Sequence, residues 1–240
     1  MLKVEQLTKK FGDSVAVDAV NFTIGSGEVF SLIGPNSSGK TTIIKTIAGL
    51  LRPNKGQVII GGYDIATQPL LAKSLIGYIP DEPSLWSGIT GEEFLHFVGA
   101  LYGMDVKART KKIAELLPIF HLEDIQKDYF ENYSRGNKQK FSILAALLHE
   151  PKLLLVDEPI VGLDPESAGT ARALFAEFAR NGGSVLLVTH TLPVAEVIST
   201  KIGVLKNGSL LCSGTLEELR LEARLKDHST LEDIYAVLTS

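Results

Sequence analysis

The chain of 240 residues has few of the residues that staple a fold or anchor it in lipid. It carries one cysteine, Cys212, which excludes an intrachain disulfide scaffold and any cysteine-rich zinc module and fits a reducing compartment. Long apolar runs are missing. Segments such as 142–148 and 153–156 are the longest, and a helix crossing a bilayer needs about 20 residues. The opening residues, MLKVEQLTKKFG, are polar where a secretory leader needs its apolar core. A basic stripe is missing too. Lys and Arg number 24 against 28 Asp and Glu, a net charge of −4, so no nucleic-acid partner is expected. No tandem repeat, low-complexity tract or Pro/Gly/Ser-rich linker divides the chain. The expectation is a soluble cytoplasmic protein that works at a membrane only if something else holds it there.

What is present is ordinary globular material, 45% hydrophobic and 22% charged. A chain of this length buries about 70% of its unfolded surface, so it builds a core unaided. Val4, Leu7, Phe11, Val15, Val17, Val20, Phe22 and Ile24, cut by Gly12-Asp13 and Gly25-Ser26-Gly27, read as an antiparallel β layer. Residues 28–33 form a short buried strand, 42–51 a helix, and 58–60 a strand with a turn at Gly61-Gly62. From about residue 83 the period becomes helical, over 92–102, 106–120 and 137–149. Alternation then returns with a strand at 153–156, a helix at 165–180, a strand at 184–189 and a helix at 192–199. Asn207-Gly208 marks a type I′ hairpin, and short helices at 216–219 and 231–238 close the chain. Strand–helix alternation implies an α/β fold with a mostly parallel sheet, interrupted by an all-helical insertion.

Gly34-Pro35-Asn36-Ser37-Ser38-Gly39-Lys40-Thr41 matches GxxxxGK[ST] and is followed by Thr42. With this composition the bare pattern arises by chance in roughly one or two chains per hundred. Here it lies between an expected strand and an expected helix. Glycines let the backbone wrap phosphates, and consecutive N–H groups with a helix N-terminus make a positive nest. Lys40 then reaches the β- and γ-phosphates, and the Thr41 hydroxyl faces Mg²⁺. Further along, Leu153-Leu154-Leu155-Val156-Asp157-Glu158 is an apolar strand ending in two acids. The ends of parallel strands are where α/β proteins bind ligands. Asp157 is placed to hold Mg²⁺ and Glu158 to polarise an attacking water.

With these motifs the chain resembles the nucleotide-binding subunit of ATP-binding cassette (ABC) transporters over nearly all its length. Tyr133-Ser134-Arg135-Gly136-Asn137-Lys138-Gln139 is similar to that family's signature motif. Gly162-Leu163-Asp164-Pro165 is similar to its D-loop, and Val188-Thr189-His190 to its switch-histidine segment. Phe11, beside a Gly12-Asp13 turn, resembles the aromatic that stacks on adenine, the competing reading being a core aromatic. Ser134 reads both as a helix N-cap and as a phosphate contact, and Asp164 as an N-cap or a D-loop acid. A neutral His190 ring is expected to donate to the γ-phosphate.

The resemblance implies a P-loop NTPase (RecA-like) core with an N-terminal antiparallel β layer over 1–82 and 151–240, and an inserted α-helical subdomain over 83–150. It implies ATP and Mg²⁺ as ligands, with Lys40, Glu158 and His190 in catalysis. Nucleotide contacts come from Phe11, Val17 and residues Gly34 to Thr42, and from Ser134, Gly136 and Asn137. Thr41, Asp81 and Asp157 belong to the metal. It also implies a second ATP-binding subunit paired head-to-tail, and a membrane-spanning permease that holds the chain on the inner face of the cell membrane. That permease's cytoplasmic helix is expected near Asp81 and the loop at 83–91, with Trp86 in the core or on the docking surface. The chain departs from the family pattern twice. Asp81 stands where a glutamine is usual, and in the signature Arg135 replaces a glycine and Asn137 a glutamine. That variant, with Leu231-Glu232-Asp233-Ile234-Tyr235 near the end, resembles exporter-type subunits for drugs, antibiotics and lipids.

Overall fold

The computed structural model describes residues 1–83, 87–160 and 162–239. In chain order the strands and helices are β1 (Leu2–Phe11), β2 (Ser14–Ile24), β3 (Val29–Ile33), α1 (Lys40–Ile47), β4 (Lys55–Ile60), β5 (Tyr63–Asp64), α2 (Pro69–Lys73), β6 (Ile76–Ile79), α3 (Gly91–Leu101), α4 (Val106–Leu116) and α5 (Arg135–Leu147). They continue with β7 (Leu153–Asp157), α6 (Pro165–Arg180), β8 (Ser184–Val188), α7 (Leu192–Ile198), β9 (Lys201–Lys206), β10 (Ser209–Gly214), α8 (Leu216–Glu222) and α9 (Leu231–Thr239). Among the described residues two sheets form. One is antiparallel, in the order β2-β1-β4-β5; the other runs β10-β9-β3-β8-β7-β6. In the second sheet β9, β3, β8, β7 and β6 are mutually parallel, and β10 pairs antiparallel with β9.

The large sheet is covered on both faces, which explains its continuous apolar strands. Every residue of β3, β7 and β8 is buried. Successive strand residues point to opposite faces, and they divide accordingly. Leu153, Leu155, Leu186 and Val188 pack with Ile43, Ile44, Ile47 and the antiparallel layer. Leu154, Val156, Val185 and Leu187 pack with Phe141, Ile143, Leu144 and Phe175 from α5 and α6. The helical insertion therefore shares one apolar core with the sheet. Its own aromatics, Phe94, Phe130, Tyr133 and Phe141, lie in that same cluster.

Local chemistry sets the helix boundaries, and three of the places where they differ from the sequence expectation have a plain cause. The helix expected over 106–120 is α-helical only to Leu116, and Leu117–Phe120 tightens into a 3₁₀ turn. Pro118 lies there, with no N–H to give and a ring that crowds the preceding turn. The helix expected over 42–51 ends at Ile47 because Gly49 takes a left-handed conformation with φ 67°. Helix α5 begins at Arg135, two residues early, because the Ser134 hydroxyl accepts the Asn137 N–H at 3.2 Å and caps it. The short α2 and a 3₁₀ turn at Phe130–Asn132 have no counterpart in the expectation. At the Asn207-Gly208 hairpin both residues have positive φ, 50° and 80°, as a type I′ turn requires.

Helix α5 lies so close to β6 that a Cβ at Gly77 would sit 2.2 Å from the Ala146 carbonyl oxygen and 2.8 Å from a Leu154 methyl. Gly77→Ala should therefore push the helical insertion off the sheet and lower unfolding free energy by about 2–3 kcal/mol, as overpacking does. Urea unfolding checks this; an unchanged midpoint would mean that α5 does not need that close approach.

Candidate nucleotide site

The parallel sheet brings four strand ends to one edge. Strand β3 leads into the glycine loop and α1. Next to it β8 leads to Thr189 and His190, then β7 to Asp157 and Glu158, then β6 to Asp81. A cavity of about 460 Å³ opens there. Its lining includes Asn36, Ser37, Ser38, Gly39, Lys40, Thr41, Thr42, Asp81, Asp157, Glu158 and His190, all expected from sequence. Ala16, Glu82, Arg135 and Val188 also line it and were not assigned to the site.

The loop has no room for larger residues where the glycines sit. A Cβ at Gly34 would lie 2.3 Å from the Leu205 carbonyl oxygen, and one at Gly39 2.5 Å from that of Ala16. Gly39 also has φ 106°, a conformation open to glycine. The β9–β10 turn braces the loop from outside: the Gly208 N–H donates to the Ser38 carbonyl at 2.9 Å. Inside the cradle the Lys40 ammonium donates to the carbonyls of Gly34 and Pro35, at 2.8 and 2.9 Å. Burial lowers the Lys40 pKa, opposed by the nearby charges of Glu158 and Asp157. The Ser38 hydroxyl oxygen is buried and has no hydrogen-bond partner. An orphaned hydroxyl, a lysine and a cradle too tight for a Cβ together fit a polyphosphate.

The acids divide the remaining work. Asp157 is buried, and its pKa is pushed up to about 6, first by desolvation, then by the charges of Asp81 and Glu158, against the pull of Lys45 and Lys40. Glu158 has φ 47°, strained for a non-glycine residue. That turn aims its carboxylate at β8. It accepts from the His190 backbone N–H at 2.8 Å, the His190 ring at 2.6 Å and the Thr189 hydroxyl at 3.0 Å. Since an ionised carboxylate only accepts, His190 Nδ1 carries the proton in this pair. A neutral ring then offers Nε2 as an acceptor. Donation from Nε2 to a phosphate requires the imidazolium, not the neutral ring expected from sequence.

Other expected residues lie outside the cavity. Val17 is fully buried behind the loop. Its neighbour Ala16 faces the site, because adjacent strand residues point to opposite sides. Phe11 is half exposed at the end of β1, with the Lys9 ammonium 5.1 Å from its ring centre, and does not line the cavity. Ser134, Gly136 and Asn137 form the first turn of α5 and do not line this chain's own cavity either. A Cβ at Gly136 would sit 2.8 Å from the Gly162 carbonyl. Asp164 caps α6 by accepting the Ser167 N–H at 2.8 Å, and it also pairs with Lys140 at 3.2 Å. Trp86, with Ser84 and Leu85, lies outside the described residues. Strand alternation was the signal that could have exchanged Ala16 for Val17. For Arg135 the sequence left two readings open, pointing away from the nucleotide or adding positive charge near it, and the cavity lining favours the second.

A cradled polyphosphate site at the edge of a doubly covered parallel sheet defines a P-loop ATPase. A sequence profile of the family described as ABC transporter matches residues 17–161. The chain is 35% identical over 219 residues to the linearmycin resistance ATP-binding protein LnrL of Bacillus subtilis (strain 168), covering 91% of this chain and 70% of that protein. It superposes with a TM-score of 0.95 and 34% identity on the solved ATP-binding subunit of an ABC transporter, covering both chains fully. It is also similar, with a TM-score of 0.81 and 27% identity, to a dimeric post-hydrolysis ATP-binding cassette bound to ADP and Pi, covering 90% of this chain and 99% of that one. The chain belongs to the ABC transporter family, as an ATP-binding subunit with ATPase activity.

The raised pKa of Asp157 has a consequence for stability. A folded carboxyl that holds its proton more tightly than the unfolded one favours folding below the unfolded pKa, and that contribution is lost as pH rises through about 6. Ionised Asp157 at neutral pH therefore opposes folding. In metal-free buffer Asp157→Asn should raise unfolding free energy by about 1–3 kcal/mol at pH 7–8, with the gain vanishing below about pH 4. Denaturant titrations across that range check the sign; a loss of stability at pH 8 would contradict it.

Proposed function

We propose that this subunit powers export of a substrate through a separate membrane-spanning partner, using ATP held in the cavity described above. The observation that carries this is the convergence of Lys40, Asp157, Glu158 and His190 from α1, β7 and β8 on one cavity at one sheet edge. Phosphates would take the Lys40 ammonium from the Gly34 and Pro35 carbonyls, and the Ser38 hydroxyl would gain a partner. Phe11, exposed beside the Gly12-Asp13 turn, is free to stack on the adenine, and Val17 supports the loop from behind. Glu158 orients and deprotonates the attacking water, and His190 holds that carboxylate. When charged, His190 also donates to the γ-phosphate from Nε2.

The donor set also fits Mg²⁺ delivered with the nucleotide. Among the described residues no group of three or more His, Cys, Asp or Glu side chains could hold a metal by itself. Mg²⁺ commonly takes one or two carboxylates and completes its shell with phosphates and water. Asp157, Thr41 and Asp81 would supply the protein ligands. Bound there, Mg²⁺ would neutralise charge developing on the β- and γ-phosphate oxygens.

Two subunits would pair head-to-tail, with the Ser134, Gly136 and Asn137 turn of one closing the γ-phosphate of the other. Ser134, Gly136 and Asn137 do not line their own chain's cavity, although Arg135 between them does, and that supports this pairing. For the permease, an apolar groove of about 350 Å³ runs between the helical insertion (83–150) and the core, lined by Tyr78, Pro80, Phe94, Val98, Tyr102 and His149. Leu50 at its edge is 58% exposed. No helix among the described residues is long and apolar enough to cross a membrane, so the permease would hold the subunit on the inner face of the cell membrane. A linearmycin-resistance relative and the exporter-like signature favour a drug, antibiotic or lipid-like cargo.

Lys40→Ala should abolish measurable nucleotide binding in a fluorescence titration, since it removes the main charged contact to the β- and γ-phosphates. Wild-type affinity in that variant would refute the site. Glu158→Gln should bind ATP, hydrolyse it at least a hundredfold more slowly, and accumulate as an ATP-bound dimer on size-exclusion chromatography. Adding Ser134→Arg should keep it monomeric while preserving ATP affinity. Loss of ATP binding by the Ser134→Arg monomer would instead place Ser134 in its own chain's site.

A further inference from the structure

Two charged residues from different parts of the fold, Asp81 and Arg135, meet each other. Arg135 Nη2 donates to Asp81 Oδ1 at 3.2 Å. Asp81 follows the end of β6 in the core, and Arg135 opens α5 in the helical insertion, directly after the Ser134 cap. Both line the phosphate cavity. The pair therefore spans core and insertion at the mouth of the nucleotide site. Two other contacts fix the start of α5 to the core: the Gln139 side-chain amide donates to the Pro80 carbonyl at 3.3 Å, and Lys140 pairs with Asp164 at 3.2 Å. Of these residues only Asp81 and Arg135 face the cavity.

The electrostatics of that position set its behaviour. Both side chains are about half exposed, 47% and 51%. An exposed pair of this kind is worth only a factor of about two to five in an equilibrium, so it is easily opened. A nucleotide brings several negative charges into the cavity. These attract the guanidinium and repel the carboxylate, and a divalent cation arriving with them would draw Asp81 further from Arg135. We propose that the Asp81–Arg135 pair is a nucleotide-sensitive tie. Phosphates in the chain's own cavity open it and release the Ser134–Gly136 turn, so occupancy of one site prepares the surface that completes the site of a second subunit. Arg135 acts here as a positioning residue, and it acts through Asp81. This rests on the in-trans role of Ser134 given above.

The test is a double-mutant cycle on nucleotide affinity, read with a fluorescent ATP analogue at low salt, with and without Mg²⁺. The four proteins are wild type, Asp81→Asn, Arg135→Gln and the double variant. The cycle cancels what each residue contributes alone and isolates their coupling. If nucleotide opens the pair, the product of the wild-type and double-variant Kd values exceeds the product of the single-variant values about two- to fivefold, fading toward one in about 1 M salt. Hydrogen exchange supplies a second reading at concentrations where the chain is monomeric. Exchange in the peptide 133–141 should rise on ATP binding in wild type and in Arg135→Lys. In Arg135→Gln it should be raised already and not respond. A cycle ratio of one at low salt, or wild-type exchange unmoved by bound ATP, overturns the proposal. Failure of the wild-type chain to bind ATP at all would overturn the site reading, and this tie with it.

Discussion

Everything at the candidate nucleotide site depends on one constraint: in a sheet buried on both faces, the five parallel strands β9, β3, β8, β7 and β6 end at the same edge. Strands β3, β8 and β7 have no exposed residue, so none can slip in register without exposing apolar side chains. Their last residues are thereby fixed in space. The glycine loop, His190, Glu158 and Asp81 inherit that fixed spacing from strands that are neighbours in the order β3-β8-β7-β6. Close packing enforces it further. Gly203 lies where a Cβ would meet the Phe30 ring at 2.8 Å, and Gly77 lies under the Ala146 carbonyl.

The edge collects acids beside a cradle that fits an anion, and the fold gives them individual counterweights. Glu158 is held by the Thr189 hydroxyl and by His190 ring and backbone. Asp81 is held by Arg135. Asp157 is the one whose burial prevails, shifting its pKa upward against two lysines. A site that keeps a buried carboxyl in an unfavourable state gives up stability for function, and it is the part of the molecule where a cation has most to neutralise.

The helical insertion is bound to this edge by shared packing. Its aromatics and the β7 and β8 side chains form one cluster, so insertion and sheet share a continuous apolar contact. The polar ties at the start of α5 lie at the rim of that contact.

Much of this was legible along the chain. The glycine loop, the acid-ended strand and the hairpin at Asn207-Gly208 are local chemistry: left-handed backbone conformations that glycine and asparagine adopt most readily, and apolar runs that must be buried. Helix ends were less legible where one residue overrode a long period, as Pro118 did in α4 and Gly49 after α1. Within the site, the identity of most lining residues followed from motif and strand end. The exchange of Ala16 for Val17, the proton on His190 Nδ1 and the pairing of Asp81 with Arg135 did not. Each of these depends on which face of a strand is covered, or on which side chain of a distant element comes within hydrogen-bond reach. Asp81 and Arg135 are 54 residues apart in sequence. Short-range conformation is written in neighbouring residues, so the sequence alone determined the loop, the strands and the acids. Contact between distant charges is decided only when the sheet order and the close approach of α5 to β6 are in place.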